Sequence, residues 1–269
     1  MDYEKHAAPI EPDPKTKSFY VAAMRALDSA RVPYVVGGGY AMAYYTGIAR
    51  NTKDLDLFVK LEDRDRALTT LTAGGWQTEF FYPFWIAKAI DPSNGSFIDL
   101  LYNSGNGLCP VDDTWMTGSI RHPILGHPTR LVPAEEQLWS KAFVQDRDRF
   151  DGADVHHLIL SWSDHLDWHR LLRRFTGHEP VLLAHLIMFR YAYPTEKHKV
   201  PDWVMSHLQQ RAKNDPAEAD PRSTDRLCRG PFCSQRGYLP DVHQFGFTDA
   251  RLLPHGCLTP DEVAQLPPP

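Results

Sequence analysis

Sixteen residues after the middle one of three consecutive glycines, Gly37-Gly38-Gly39, the chain reads Asp54-Leu55-Asp56-Leu57-Phe58-Val59. Few patterns constrain a fold more. A run of β-formers with acids at alternate positions puts Asp54, Asp56 and Phe58 on one strand face and Leu55, Leu57 and Val59 on the other, with the aspartate Cα atoms about 6.6 Å apart. Uncompensated, such a pair repels by roughly 2–3 kcal/mol at an effective dielectric of 20. A fold keeps the acids together only with a cation or much water. Hard oxygen ligands with positions left open for phosphate suit Mg²⁺, with Mn²⁺ as the alternative ion. The competing reading is a strand end whose acids face solvent or cap the next turn.

The glycines sharpen the pattern. Tyr34 to Val36 reads as a short strand and Tyr40 to Ile48 as a helix, so the glycines stand between strand and helix, where bare backbone can approach a ligand and free N–H groups favour an anion. A dinucleotide-binding fingerprint would need glycine where Met42 stands, and a P-loop would need Gly-Lys-Ser/Thr, so neither applies. A plain tight turn is the alternative. A third acid lies in Ser96-Phe97-Ile98-Asp99-Leu100-Leu101, on one face with Phe97 and Leu101. A carboxylate in an apolar strand is costly unless paired or metal-bound, and a neighbouring strand that brought Asp99 beside Asp54 and Asp56 would complete a triad. An edge-strand acid is the other reading.

Apolar periodicity predicts helices over 15–30 and 62–71 and strands over 76–81, 85–90 and 96–102, a mixed α/β unit. From Pro133 onward it predicts helices over 134–148, 152–162, 165–175, 180–193 and 201–212. The expected organisation is an α/β domain over 1–132, a helical domain over 133–212, and a Pro-, Asp-, Arg- and Gly-rich tail over 213–269, extended or partly disordered. The net charge of −5 argues against a chain wrapped in nucleic acid. No apolar run approaches the ~20 residues needed to cross a bilayer. No leader-like apolar core precedes the first helix, and four cysteines without tight spacing point to a reducing cytoplasm.

Strand, glycines, helix, Asp-x-Asp strand and a later strand aspartate, taken in order, resemble the nucleotidyltransferase superfamily with the DNA polymerase beta-type palm. The stretch from Val35 to Val59, followed by Glu135 to Ile159, is similar to the minimal, abortive-infection toxin-like bacterial branch; the likeness covers about Val32 to Ile159. The resemblance implies an α/β palm followed by a helical domain, with the site in the cleft between them. It implies that Gly37, Gly38 and Gly39 hold a nucleoside triphosphate such as ATP and that Asp54 and Asp56 bind Mg²⁺. Asp99 would complete the metal site and help deprotonate the acceptor hydroxyl. Many members carry Ser where this chain has its second glycine, which removes one hydroxyl contact to phosphate. Arg50 and Thr52 match the branch's lead-in to the Asp-x-Asp strand, and Lys141 with Asp154 match its helical Lys and downstream Asp. The implied reaction moves a nucleoside monophosphate to an RNA end, a protein hydroxyl or a small molecule, and the toxin-like branch implies a cognate antitoxin. A catalytically silent nucleotide-binding protein on the same fold is the alternative, and another phosphoryl-transfer enzyme acting on a metabolite is a third.

Lys141 shares a helical face with Leu138 and Ala142, so it needs an anion, either phosphate or Asp154. His165 and His169 have metalloprotease spacing, but Leu stands where that motif needs Glu, leaving a surface helix. Cys228, Cys233 and Cys257 with His243 or His255 lack zinc-site spacing. Arg170, Arg173 and Arg174 read as a solvated helix face, with phosphates of an RNA acceptor as the alternative.

Overall fold

A computed structural model describes residues 10–50, 52–214 and 226–266. The chain divides into two units, Met1–Pro133 and Ala134–Pro269.

The first unit opens with α1 (Pro14–Ser29), whose N-terminal amides of Lys15 and Thr16 donate to the Asp13 side chain. Phe19, Tyr20, Ala23, Met24 and Leu27 recur at helical spacing and are buried. Then come β1 (Val35–Val36), α2 (Gly38–Thr46), β2 (Asp54–Phe58) and α3 (Arg64–Ala73). After these follow β3 (Gln77–Tyr82), β4 (Ile86–Ile90), β5 (Phe97–Leu101), α4 (Asp113–Thr117), β6 (Ile120–Ile124) and β7 (His127–Leu131). The strands form one mixed sheet in the order β3-β4-β5-β2-β1-β7-β6, with β2/β5 and β1/β7 parallel and the other neighbours antiparallel.

Alternation gives this sheet two unlike faces. Leu55, Leu57, Ala87, Ala89, Ile98 and Leu100 are fully buried on one face, and α3 packs against α1, β3 and β4. At roughly 25 cal/mol per Å² of apolar surface, each leucine or isoleucine buried there contributes about 1.5–3 kcal/mol. The opposite face carries Asp54 and Asp56 on β2, Lys88 on β4, and Phe97 and Asp99 on β5.

The β6–β7 hairpin has no counterpart among the sequence expectations. Leu125 and Gly126 both take positive φ at its turn, 53° and 82°, as a two-residue hairpin connection of the mirror-turn type requires. Pro123 and Pro128 stand opposite each other in its register, and such prolines mask a strand pattern in sequence while being tolerated toward a sheet edge.

The second unit contains α5 (Ala134–Ala142), α6 (Gly152–Trp162), α7 (Trp168–Arg174), α8 (Glu179–Ala192) and α9 (Asp202–Lys213). Helix α5 ends six residues before the expected Asp148, because the run Gln145-Asp146-Arg147-Asp148-Arg149 has no apolar stripe to bury. There the chain turns back through a bridge between Gln145 and Phe150 and enters α6. The arginine face on α7 also differs from expectation. Arg170 and Arg174 are mostly buried and both bind Glu136, whose side chain is wholly buried, so neither lies on a solvated face.

The tail departs furthest from expectation. Its described part, 226–266, folds into β8 (Leu227–Cys228), α10 (Gln235–His243), β9 (Thr248–Asp249) and α11 (Pro260–Ala264), with β8 and β9 paired in parallel. Phe232, Leu239, Ala250, Leu258 and Leu266 are buried, and the buried Arg251 guanidinium binds Asp249 at 2.7 Å. The Cys233 carbonyl accepts from the Gln145 amide at 3.0 Å and the Ser234 hydroxyl donates to Asp146 at 2.7 Å, fastening this segment within the unit. Elements this short show no periodicity. Residues 215–225 and the terminal Pro-Pro-Pro lie outside the described residues.

Candidate active site

Parallel pairing of β2 and β5 sets Asp56 opposite Asp99 and Asp54 opposite Phe97. Directly opposed residues share a sheet face. One carboxylate oxygen from each of Asp54, Asp56 and Asp99 lies within 4.8 Å of the others. Thr52 aims the first of them: its hydroxyl donates to Asp54 Oδ1 at 2.8 Å.

Each glycine of the loop sits under a different neighbour. Gly37, whose amide donates to the Asp56 carbonyl at 3.0 Å, would place a Cβ 2.4 Å from the Phe58 ring, and a Cβ on Gly39 would lie 3.1 Å from Thr52 Cβ. Gly38 is the most constrained. It opens α2 at φ +55°, and a Cβ there would come within 1.6 Å of Asp56 Oδ2. The middle glycine therefore serves the metal-type carboxylate itself, in addition to any anion at the helix start.

Lys88 is absent from the sequence-predicted set. In β4 it stands opposite Asp99, and its ammonium donates to Asp99 Oδ1 at 2.5 Å. The same nitrogen lies 4.1 Å from the Phe97 ring centroid and 5.2 Å from that of Phe81, a cation–π seat that limits its excursions. The available signal was a cation in the middle of Ile86-Ala87-Lys88-Ala89-Ile90, which mirrors the acid in the middle of β5. Registers across four strands now align Glu79, Lys88, Asp99 and Asp56 in one row that ends at the glycine loop.

Two tyrosines feel this charge. The Tyr20 hydroxyl is pushed well above its ordinary value by burial first, then by Tyr40 and the three aspartates. Tyr40 is raised by burial, then by Glu11 and Asp54, and its buried hydroxyl has no hydrogen-bond partner among the described residues. Arg50 is exposed at the approach to β2.

Lys141 and Asp154 belong to the second unit. The Lys141 ammonium donates to Asp154 Oδ2 and to Asp151 Oδ2, at 2.8 Å each, with every partner's side chain mostly buried. Asp151, in the turn before α6, is the residue that sequence spacing did not identify. His165 and His169 do not share a helix, and their rings stack on Trp162 and Trp203. The four cysteines form no disulfide among the described residues. Among the described residues the metal-type grouping of His, Cys, Asp and Glu is the aspartate triad, so the tail residues form no such cluster.

The donor set fits a divalent ion. Its atoms are carboxylate oxygens, the hard ligands Mg²⁺ and Mn²⁺ take, and three like charges so close together are themselves a reason for a cation to bind. Among the described residues no helix is long and apolar enough to cross a membrane.

No protein-family model matches the sequence, and no curated protein does. Some solved structures similar to the chain carry adenylyltransferase or nucleotidyltransferase names. The antibiotic-resistance factor ANT(2'')-Ia is 20% identical over 70% of this chain and 97% of its own, with a TM-score of 0.39. The lincosamide antibiotic adenylyltransferase LnuA is 15% identical over 54% of this chain and 95% of its own, at 0.38. An antigenic nucleotidyltransferase-like protein from Paracoccidioides brasiliensis is 19% identical over 66% of this chain and 94% of its own, at 0.37. At such scores a likeness carries no weight of its own, and function is read from the carboxylates, the glycine loop and the lysine.

Proposed function

We propose that the chain is a metal-dependent nucleotidyltransferase that moves a nucleoside monophosphate from a triphosphate to an acceptor hydroxyl. The observation that carries this reading is the triad, with Asp54, Asp56 and Asp99 offering oxygens within 4.8 Å of one another beside a glycine loop at a helix start. Bound there, Mg²⁺ would supply Lewis-acid charge to the reacting phosphate and to the attacking oxygen. Asp54 and Asp56 would hold it; the Thr52 hydroxyl donates to Asp54 and fixes that carboxylate, and Gly38 leaves room for Asp56. The amides at the start of α2 bind the triphosphate, which orients its α-phosphorus for in-line attack. The acceptor oxygen forms a bond to that phosphorus as the bond to the β-phosphate oxygen breaks. Pyrophosphate leaves, and the hydroxyl proton passes to Asp99.

The test is transfer itself. The protein is incubated with each α-labelled triphosphate, Mg²⁺ and cell extract fractions containing RNA, protein or small molecules. Label in one fraction with matching free pyrophosphate supports the reading and names the acceptor class. Nucleotide bound without pyrophosphate from any triphosphate would make the chain a binding protein.

A further inference from the structure

We propose that Lys88 is a built-in cation of the metal centre, which weakens divalent binding by the empty enzyme and so makes tight metal uptake depend on the nucleotide. The inference rests on the triad's being a metal site and concerns how that site is regulated. Lys88 stands at Asp99, one of the three ligands, at 2.5 Å. Its position is fixed from three sides: by the cross-strand register to Asp99, by the Phe97 ring at 4.1 Å and by the Phe81 ring at 5.2 Å. The side chain is 17% exposed, so water screens it only in part.

A resident ammonium has two effects on a divalent ion arriving at the same carboxylates. It offsets part of the repulsion that would otherwise draw the ion in, and it repels the ion directly. A triphosphate brings negative charge of its own. The metal would then arrive with the nucleotide instead of waiting for it, and Lys88 would stay paired with Asp99. Lys88 is thus a positioning residue that acts through Asp99.

The experiment titrates Mn²⁺ into the full chain and follows the free aqueous ion by its paramagnetic resonance signal, with folding checked by circular dichroism. Wild type, Lys88→Met, Lys88→Gln, Lys88→Arg and Asp54→Asn are compared, without nucleotide and with a non-hydrolysable triphosphate. Without nucleotide, Lys88→Met and Lys88→Gln should bind Mn²⁺ about tenfold or more tightly than wild type, while Lys88→Arg, which keeps the charge, should stay within about twofold. The gain in Mn²⁺ affinity on adding triphosphate should be smaller in the neutral variants than in wild type. Folded neutral variants whose Mn²⁺ affinity is unchanged or weaker would overturn the role of Lys88. Should Lys88→Met fail to fold, Lys88→Gln, closer in polarity, carries the comparison. Wild-type binding that Asp54→Asn abolishes, together with unchanged neutral variants, defeats the inference alone. Mn²⁺ uptake by none of the chains, with or without triphosphate, defeats the reading of the site.

Discussion

The sheet of the first unit and the helices of the second handle acids in opposite ways. In the helices, opposite charges meet: Glu136 lies on Arg170 and Arg174, Lys141 on Asp151 and Asp154, and Glu179 on Arg211. On β2 and β5, like charges meet, three carboxylates with oxygens within 4.8 Å of one another, and the Lys88 ammonium reaches one of them, Asp99. The first arrangement holds a fold together, and breaking one side of a buried pair is costly. The second works against the fold unless a cation offsets it, which is the role the proposed function gives to a divalent ion. On the proposed function, charge placement would separate scaffold from site, and the variants below test that division.

The comparison breaks first at activity. Asp54→Asn should lower nucleotidyl transfer by about a hundredfold or more, through loss of metal, in a chain that still folds; label transfer with a melting curve reads both. Glu136→Gln should do the reverse. It leaves two buried guanidiniums short of their partner and should cost on the order of 3–5 kcal/mol in urea unfolding, while any transfer that remains folded keeps its metal dependence.

Lys141 tests the boundary between the two classes. Lys141→Ala should also destabilise by about 3 kcal/mol, since it strands Asp151 and Asp154 together, and Lys141→Met combined with Asp154→Leu should recover part of that loss. A stable Lys141→Ala protein with a raised nucleotide dissociation constant would move this lysine from scaffold to site. Gly38→Ala should cost about 1 kcal/mol for its positive φ and should weaken Mg²⁺-triphosphate affinity by displacing Asp56, whereas Gly47→Ala, also at positive φ, should show the stability loss alone.

The smallest effect is a pH dependence confined to the helical unit. Burial, then the neighbouring His185, pushes the His156 imidazole down to about 4 from its ordinary 6.5. Between these values the unfolded chain binds more protons than the folded one, so this histidine's contribution is complete above 6.5 and fades as pH falls toward 4. His156→Phe should flatten the urea midpoint across that window and leave the metal dependence of the sheet unchanged.

Legibility in sequence followed the range of the signal. The gathering of Asp54, Asp56 and Asp99 could be read because alternation within each strand is local and an acid among apolar residues is conspicuous. Lys88 shows the same local pattern, yet its relevance depends on β4 pairing with β5, a non-local fact. Arg170 and Arg174 looked solvated because Glu136, more than thirty residues upstream, is invisible to helical periodicity. Thr52 could be placed before the strand but not bonded to Asp54 until the backbone bend was known. The β6–β7 hairpin was hidden by its prolines, and the tail by elements too short to show a period.

The central claim, that the triad is kept against the interest of the fold, is tested most directly by Asp56→Asn measured twice: unfolding free energy in chelator, and the rise in melting temperature on adding Mg²⁺ with a non-hydrolysable triphosphate. The account predicts stability in chelator equal to or above wild type, because a like-charge repulsion is relieved, together with loss of the ligand-induced rise. A drop of several kcal/mol in chelator with the ligand-induced rise intact would contradict it and make Asp56 a structural residue.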